Sequence, residues 1–165
     1  MTSPHRSEAQ RPTVYILDTN IISFSVYQTA RYPTLIKNFR ANKVADRWIS
    51  IVTAEELIAW RYTPLDGLRN APRAEVLKAY YYFRDILAVI HVYHSQIKEF
   101  DGTAYNEFLG MPGSVDEADR RIAAIALAHD FIVVTHDETD FKAIQKAKPR
   151  LKVQNWVTTD YSNTN

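Results

Sequence analysis

Short, unbroken runs of apolar residues alternate along the chain with longer stretches of helical periodicity. The apolar runs predict strands at residues 13–17 (TVYIL), 47–52 (RWISIV) and 131–135 (FIVVT), and the more polar residues 151–157 (LKVQNWV) are predicted as a last strand. Between them, apolar residues recur every three or four positions, which is typical of helices with one buried face. The predicted helices are residues 20–28, 33–45, 53–62, 73–90, 95–110 and 114–130, with a short basic helix within 136–149.

Two connecting segments are each compatible with two different local structures. Residues 63–72 contain Pro64, Gly67 and Pro72, so they predict a loop or a broken helix end. Residues 90–94 (IHVYH) fit either a strand or the tail of the preceding helix, because the apolar run is too short to decide.

The order of these elements predicts the fold class. The strands are continuously apolar and alternate with helices, which indicates a parallel sheet covered by helices on both faces. We therefore predict an α/β protein, a helix-rich three-layer α/β/α sandwich. With 165 residues the chain is long enough for one domain, which we place at residues 13–165. The polar segment 1–12 has no apolar stretch typical of a secretion signal, and we expect it to be a disordered tail.

Composition narrows the possible chemistry. The sequence has no cysteine, which excludes disulfides, thiolate metal sites and thiol nucleophiles. Its net charge of +1 predicts no general affinity for polyanions, so contacts to nucleic acid would need local clusters of charge. No apolar run approaches the roughly 20 residues needed to cross a bilayer. We expect a cytoplasmic protein without membrane contact.

Acidic residues follow the predicted strands. Asp18 comes directly after the first strand and is followed by Thr19 and Asn20, while Glu56 lies one helical turn beyond the second strand. The carboxyl ends of parallel strands meet at one edge of a sheet, which is where open α/β sheets bind ligands. We therefore expect these carboxylates to converge, together with those near the third apolar strand: Asp119, Asp137 and Asp140.

Several carboxylates close together repel one another unless a cation lies among them or some are protonated. Magnesium prefers oxygen ligands of this kind. A bound divalent ion can activate a water molecule and polarise a phosphoryl oxygen, which predicts hydrolysis of a phosphodiester.

Each acid also has a structural interpretation when taken alone. Asp18, Thr19 and Asn20 all favour helix N-caps, and Thr53 with Glu56 has the spacing of a capping box. Acids in the first turn of a helix, such as Asp119, interact favourably with the helix dipole. Only the joint occurrence of acids after successive strands favours a shared site.

Four segments of the sequence resemble the successive motifs of a known family. These segments are LDTN, SIVTAEEL, DEADRRIAAIALAHDFIVVTHDETDF and LKVQNW. They resemble PIN-domain ribonucleases, and among these the VapC-type toxins of toxin–antitoxin pairs. The resemblance extends from Thr13 to Val157 and is weakest between Arg61 and Gly110. It implies a PIN-like fold and an endoribonuclease dependent on Mg²⁺ or Mn²⁺ that acts as a toxin.

The resemblance also implies roles for individual residues. The catalytic and metal-binding acids would be Asp18, Glu56, Asp119 and Asp137, with Asp18 and Asp119 as the most direct ligands. Thr19 would orient substrate or water, and Asn20 would brace the loop at Asp18. Three alternatives stay open, namely Glu55 for Glu56, Asp116 for Asp119, and Asp140 as a partner or replacement of Asp137.

The expected partners are an RNA substrate, an antitoxin protein that covers the acidic cleft, and a second copy of the chain in a homodimer. Arg120 and Arg121 adjoin Asp119 and are candidates for holding phosphates. The lysines of residues 142–152 are more typical of a solvated helix face. The aromatic run Tyr80–Phe83 is interpreted as core packing.

Three alternative functions compete with the toxin hypothesis. A PIN-like nuclease could act in RNA processing, or a PIN-like scaffold could bind RNA or a partner without catalysis. A phospho-receiver module would also use an acidic Mg²⁺ pocket, but it needs paired acids after the first strand and a lysine after a later one. This sequence offers only Asp18 and the lysine-free VTHDE.

Overall fold

Five short parallel strands form the centre of the molecule. The structure is a computed structural model that describes residues 12–162, apart from the side chains of residues 61–66 and 69. The strands lie in the order β3-β2-β1-β4-β5. They are β1 (Tyr15–Leu17), β2 (Arg47–Ser50), β3 (Ile97–Lys98), β4 (Ile132–Val134) and β5 (Lys152–Gln154). Residues 1–11 of the predicted tail lie outside the described residues.

Seven α-helices connect the described strands. They are α1 (Thr19–Tyr27), α2 (Pro33–Ala41), α3 (Ile51–Asp66), α4 (Arg73–Val92), α5 (Gly102–Phe108), α6 (Glu117–His129) and α7 (Glu138–Ala147). Within the described part of the chain, none of them combines the length and the apolarity required to cross a membrane.

The sheet is buried on both faces, which confirms the predicted α/β/α sandwich. Ile16 of β1 packs with Ile125 of α6 and Phe141 of α7 on one face. Its neighbours Tyr15 and Leu17 point to the other face, which α1 to α4 cover. Because alternate residues of a strand point to opposite faces, burial on both sides requires the unbroken apolar runs seen in the sequence.

The connection from β2 to α3 differs from the sequence prediction. The strand ends at Ser50 and the helix begins at Ile51, two residues before the predicted start. The backbone N–H of Thr53 donates to Ser50 Oγ at 2.8 Å, so Ser50 occupies the N-cap position. The predicted capping box of Thr53 and Glu56 is therefore wrong. Thr53 is fully buried, and its hydroxyl donates to the Leu17 carbonyl of β1 at 3.2 Å.

The segment predicted as one helix at residues 95–110 contains strand β3 followed by α5. Strand β3 has only two residues and pairs with β2 alone, so it leaves little periodicity in the sequence. Helix α5 begins after Asp101, whose carboxylate accepts from the backbone of Ala104. Residues 90–92, whose structure was left open, complete α4.

Half of the aromatic run on α4 is not core packing, contrary to the sequence interpretation: Tyr80 and Tyr81 are 57% and 55% exposed. Tyr82 is half-buried and meets the Tyr27 ring edge-on at 5.6 Å, and Phe83 is also half-buried. Ile86 is the one buried residue of this helix. A 20-residue helix with this apolar content and so little burial presents an apolar surface.

Replacing Thr53 with valine tests how α3 is attached to the sheet. Valine keeps the shape but leaves the Leu17 carbonyl without its hydroxyl partner, which should lower the free energy of unfolding by about 1–3 kcal/mol. Urea denaturation measures the change. Thr103→Val, at an exposed position of α5, is the control and should change stability by less than about 0.5 kcal/mol. Equal stability of the two variants would contradict the role given to Thr53.

Candidate active site

Asp18 lies at the carboxyl end of β1 and is 4% exposed. One carboxylate oxygen accepts from the backbone N–H of Thr19 at 2.6 Å. The other accepts from Asn20 Nδ2 at 2.6 Å and from Thr135 Oγ1 at 2.7 Å. Burial, opposed by the hydrogen bonds from Thr135 and Thr19 and assisted by the charges of Glu56 and Asp137, raises the pKa of Asp18 to about 6 from its ordinary 3.8. The carboxylate is therefore held in one orientation by three donors while it remains costly to ionise.

Thr135 joins the end of β4 to this network. It is fully buried, and its hydroxyl accepts from the backbone N–H of Asp137 at 3.0 Å while donating to Asp18. Asn20 makes a parallel connection, because its amide oxygen accepts from the backbone N–H of His136 at 3.1 Å. Two side chains thus fix the loop after β4 relative to the loop after β1.

Glu56 faces the same region from α3. Its carboxylate accepts from the hydroxyl of Thr19 at 2.5 Å, a contact between residues 37 positions apart in the sequence. Thr19, for which the resemblance implied a role with substrate or water, therefore contacts Glu56 directly. Glu55, the alternative, is exposed on the preceding position of the helix.

Asp119 approaches from the first turn of α6. Desolvation and, after it, the negative charges of neighbouring acids together raise its pKa from the ordinary 3.8 to about 7; these acids are Asp18, Asp140, Asp116 and Glu56. The alternative residue, Asp116, accepts from the backbone N–H of Ala118 and acts as the N-cap of α6. The geometry therefore places Asp119 within the acidic cluster and gives Asp116 a capping role.

The last two acids lie at the start of α7. Asp137 is exposed and caps this helix through the backbone N–H of Thr139, at 3.2 Å. Its charge also contributes to the raised pKa of Asp18. Asp140 acts on the pKa of Asp119, but it is not among the described residues that line the cleft.

These residues surround one open cleft of about 520 Å³ at the carboxyl edge of the sheet. All four predicted acids line it: Asp18, Glu56, Asp119 and Asp137. The other residues that line it are Thr19, Asn20, Ser23, Phe24, Ala59 and Trp60. Carboxylates from β1, α3, α6 and the α7 N-cap thus share a single solvent-accessible space with two aromatic rings.

The donor set of the cleft suits a hard divalent cation in its chemistry. It offers carboxylate oxygens, and both Asp18 and Asp119 have raised pKa values that a nearby positive charge would lower. Among the described residues, no three acidic or histidine side chains are already arranged as a ligand set for a metal ion. A cation would therefore have to draw the carboxylates closer or use bridging water, as Mg²⁺ commonly does.

The two arginines predicted beside the site do not line the cleft. The guanidinium of Arg120 lies 4.9 Å from the centre of the Phe108 ring, and Arg121 forms an ion pair with Glu117. Residues in consecutive positions of a helix point in different directions, so adjacency to Asp119 in sequence does not bring them to its side. The geometry does not support their predicted role in holding phosphates.

Neither a family model nor a curated protein sequence matched the chain. Solved structures did match. FitAB bound to an IR36 DNA fragment shares 21% identity over 90% of this chain and 99% of the other, with a TM-score of 0.67. FitAcB from Neisseria gonorrhoeae shares 22% over 88% and 100%, with a TM-score of 0.65. DNA-bound VapBC from Salmonella typhimurium shares 20% over 88% and 99%, with a TM-score of 0.62.

The fold is PIN-like. At identities near 20% the match concerns the fold, and the chain spans nearly the whole length of each matched structure. In this PIN-like chain, the acids of the sequence motifs lie at the carboxyl edge of the sheet, where the cleft is.

Sequence reasoning missed three residues of the site: Thr135, which is buried behind the cleft and bonds to Asp18, and Phe24 and Trp60, which line it. Thr135 stands at the end of its strand in the position that Asp18 occupies after β1, and this parallel was the available signal. Phe24 lies four residues after Asn20, and Trp60 lies four residues after Glu56. A spacing of four places each aromatic residue on the same helix face as its polar neighbour, one turn further along.

Asp119→Asn should stabilise the metal-free PIN-like protein at high pH. Because the folded pKa of about 7 lies above the ordinary 3.8, folding favours the protonated acid, and this contribution is lost as pH rises through 7. We expect a gain of about 1 kcal/mol at pH 8, after allowing for solvent screening and the lost helix-dipole interaction, or about 2–4 °C in Tm. Thermal unfolding in chelator measures it.

The gain should be absent at pH 4, where the acid is already protonated in the folded chain. Glu117→Gln is the matched control, since Glu117 lies in the same helical turn, is exposed and pairs with Arg121. It should show no gain at either pH. A variant Asp119→Asn that is no more stable than the parent at pH 8 would contradict the repulsion inferred for the cluster.

Proposed function

We propose that this chain belongs to the PIN-domain ribonucleases and is a VapC-type toxin, an endoribonuclease dependent on Mg²⁺ or Mn²⁺ that hydrolyses RNA phosphodiester bonds. The observation that carries the proposal is the convergence of Asp18, Glu56, Asp119 and Asp137 on one cleft. The sequence resemblance and the PIN-like fold support it independently, because motif order and three-dimensional architecture are different observations.

The chain's own residues would prepare the cleft for this chemistry. Asp18 and Asp119 would hold the cation, with Glu56 and Asp137 beside them directly or through water. When bound, the cation would offset the repulsion among the carboxylates and polarise the phosphodiester. Thr135 and Asn20 restrict Asp18 to one orientation, and the hydroxyl of Thr19 restricts Glu56. Such restriction lowers the cost of organising ligands when the cation binds.

We also propose a cognate antitoxin protein and a homodimer as partners. FitAB and VapBC, whose folds this chain shares, were both solved bound to DNA. In this chain, α4 exposes apolar residues on its surface, among them Leu77, Tyr80, Tyr81 and Leu87. Apolar side chains in such a number on one exposed helix are typical of a protein–protein interface.

Asp18→Asn and Asp119→Asn should each reduce RNA cleavage by at least about 100-fold, because each removes a charge that the transition state requires. Cleavage of RNA in Mg²⁺ or Mn²⁺ buffer and growth arrest on expression are the measurements. Glu117→Gln, an acid of the same helix outside the cleft, is the control and should retain both activities. Full activity in both site variants, with the fold intact by circular dichroism, would reject the nuclease proposal.

Calorimetry with Mg²⁺ separates the nuclease from a non-catalytic scaffold. The nuclease should bind the ion, and Asp119→Asn should weaken binding at least about tenfold by removing a ligand. A chain that binds RNA but neither binds the ion nor cleaves RNA would be a scaffold. A short neighbouring reading frame that encodes a DNA-binding protein would distinguish a toxin from a nuclease of RNA processing.

A further inference from the structure

The wall of the acidic cleft carries two aromatic rings. Phe24 on α1 and Trp60 on α3 both line the space that holds the carboxylates. Each lies one helical turn beyond a polar residue of the site, Asn20 and Glu56 respectively, which corresponds to a rise of about 6 Å along the helix. The rings are therefore displaced from the polar residues along their helices while they line the same cleft.

The described residues that line the cleft carry negative charge. They include four acids and neither lysine nor arginine. Stacking of bases on aromatic side chains needs no positive charge, so these residues can hold a nucleic acid in this way.

The two rings differ in their exposure to solvent. Phe24 stacks on Tyr32 at a centroid distance of 4.4 Å and meets the edge of His136 at 5.7 Å. It is part of a packed cluster and only partly accessible. Trp60 is 54% exposed although it is the largest type of side chain. Its indole offers a solvent-accessible surface within the lining of the cleft.

We propose that Trp60 stacks an unpaired base of single-stranded RNA and thereby positions the adjoining phosphodiester over the carboxylates of Asp18 and Asp119. The inference rests on the proposed nuclease function and specifies its substrate class. Bases within a duplex are already stacked and paired, so they cannot lie on the indole without being unpaired first. Trp60 is a positioning residue that selects single strands.

Intrinsic fluorescence provides a direct test, because the sequence has three tryptophans in different environments. Trp156 is completely buried, Trp48 is half-buried, and Trp60 is the exposed one. A base that stacks on Trp60 should quench its emission. We would titrate Asp119→Asn, which should bind without cleaving, with a single-stranded RNA of about eight nucleotides, within the usual site size.

Trp60→Ala in the same background should remove the quenching and weaken RNA binding by about 5- to 150-fold, as measured by anisotropy of a labelled RNA. Trp60→Phe should remove most of the quenching while keeping part of the affinity, because it preserves a ring for stacking. Tyr105→Ala is the matched control, since Tyr105 is 53% exposed on α5 and is not among the residues of the cleft. It should change neither signal.

In the active enzyme, Trp60→Ala should raise KM more than it lowers kcat, and duplex RNA should neither quench nor compete. The inference would be overturned if Trp60→Ala bound RNA as tightly as its parent. It would also be overturned if duplex RNA quenched the fluorescence as strongly as single-stranded RNA. Quenching without cleavage by the parent chain would support the stacking role and reject the nuclease. Cleavage by the parent chain together with an unchanged KM in Trp60→Ala would support the nuclease and reject the stacking role.

Discussion

The structure of the site depends on a buried carboxylate held by neutral donors. Asp18 is removed from water at the end of the central strand, and three hydrogen bonds compensate only part of the cost. Each donor comes from a segment that must be correctly placed, namely the first turn of α1 or the end of β4. The network therefore links the position of two strands to the orientation of one side chain.

The fold brings carboxylates together in a partly buried cleft, although their ionised forms are unfavourable there. Asp18 and Asp119 both have pKa values well above that of a free carboxylic acid, for reasons of desolvation and mutual repulsion. A fold that tolerates such a cluster is less stable than it could be. A bound proton or a bound cation would reduce the repulsion among these carboxylates, and this is the physical basis of the proposed metal dependence.

The cleft combines two kinds of side chain. Its carboxylates come from four different elements, and its aromatic rings are those of Phe24 and Trp60. Arginines that adjoin Asp119 in sequence take part in other contacts, with Phe108 and Glu117. The described residues that line the cleft therefore offer a nucleic acid aromatic surface and carboxylates, with neither lysine nor arginine among them.

The sequence by itself was sufficient for the α/β/α architecture, because unbroken apolar strands are a local pattern. The family resemblance indicated the four acids that line the cleft, but the choice against Glu55, Asp116 and Asp140 came from the structure. The sequence did not reveal strand β3, whose two residues at the sheet edge carry almost no periodicity. It also misassigned Thr53, since the choice between capping and bonding to Leu17 depends on a strand far away in the chain. Packing of separate strands and helices brings three further residues to the site, namely Thr135, Phe24 and Trp60. The same packing directs Arg120 and Arg121 away from the cleft. Side-chain direction and long-range hydrogen bonds are properties of the packed chain, so only the tertiary structure decided them.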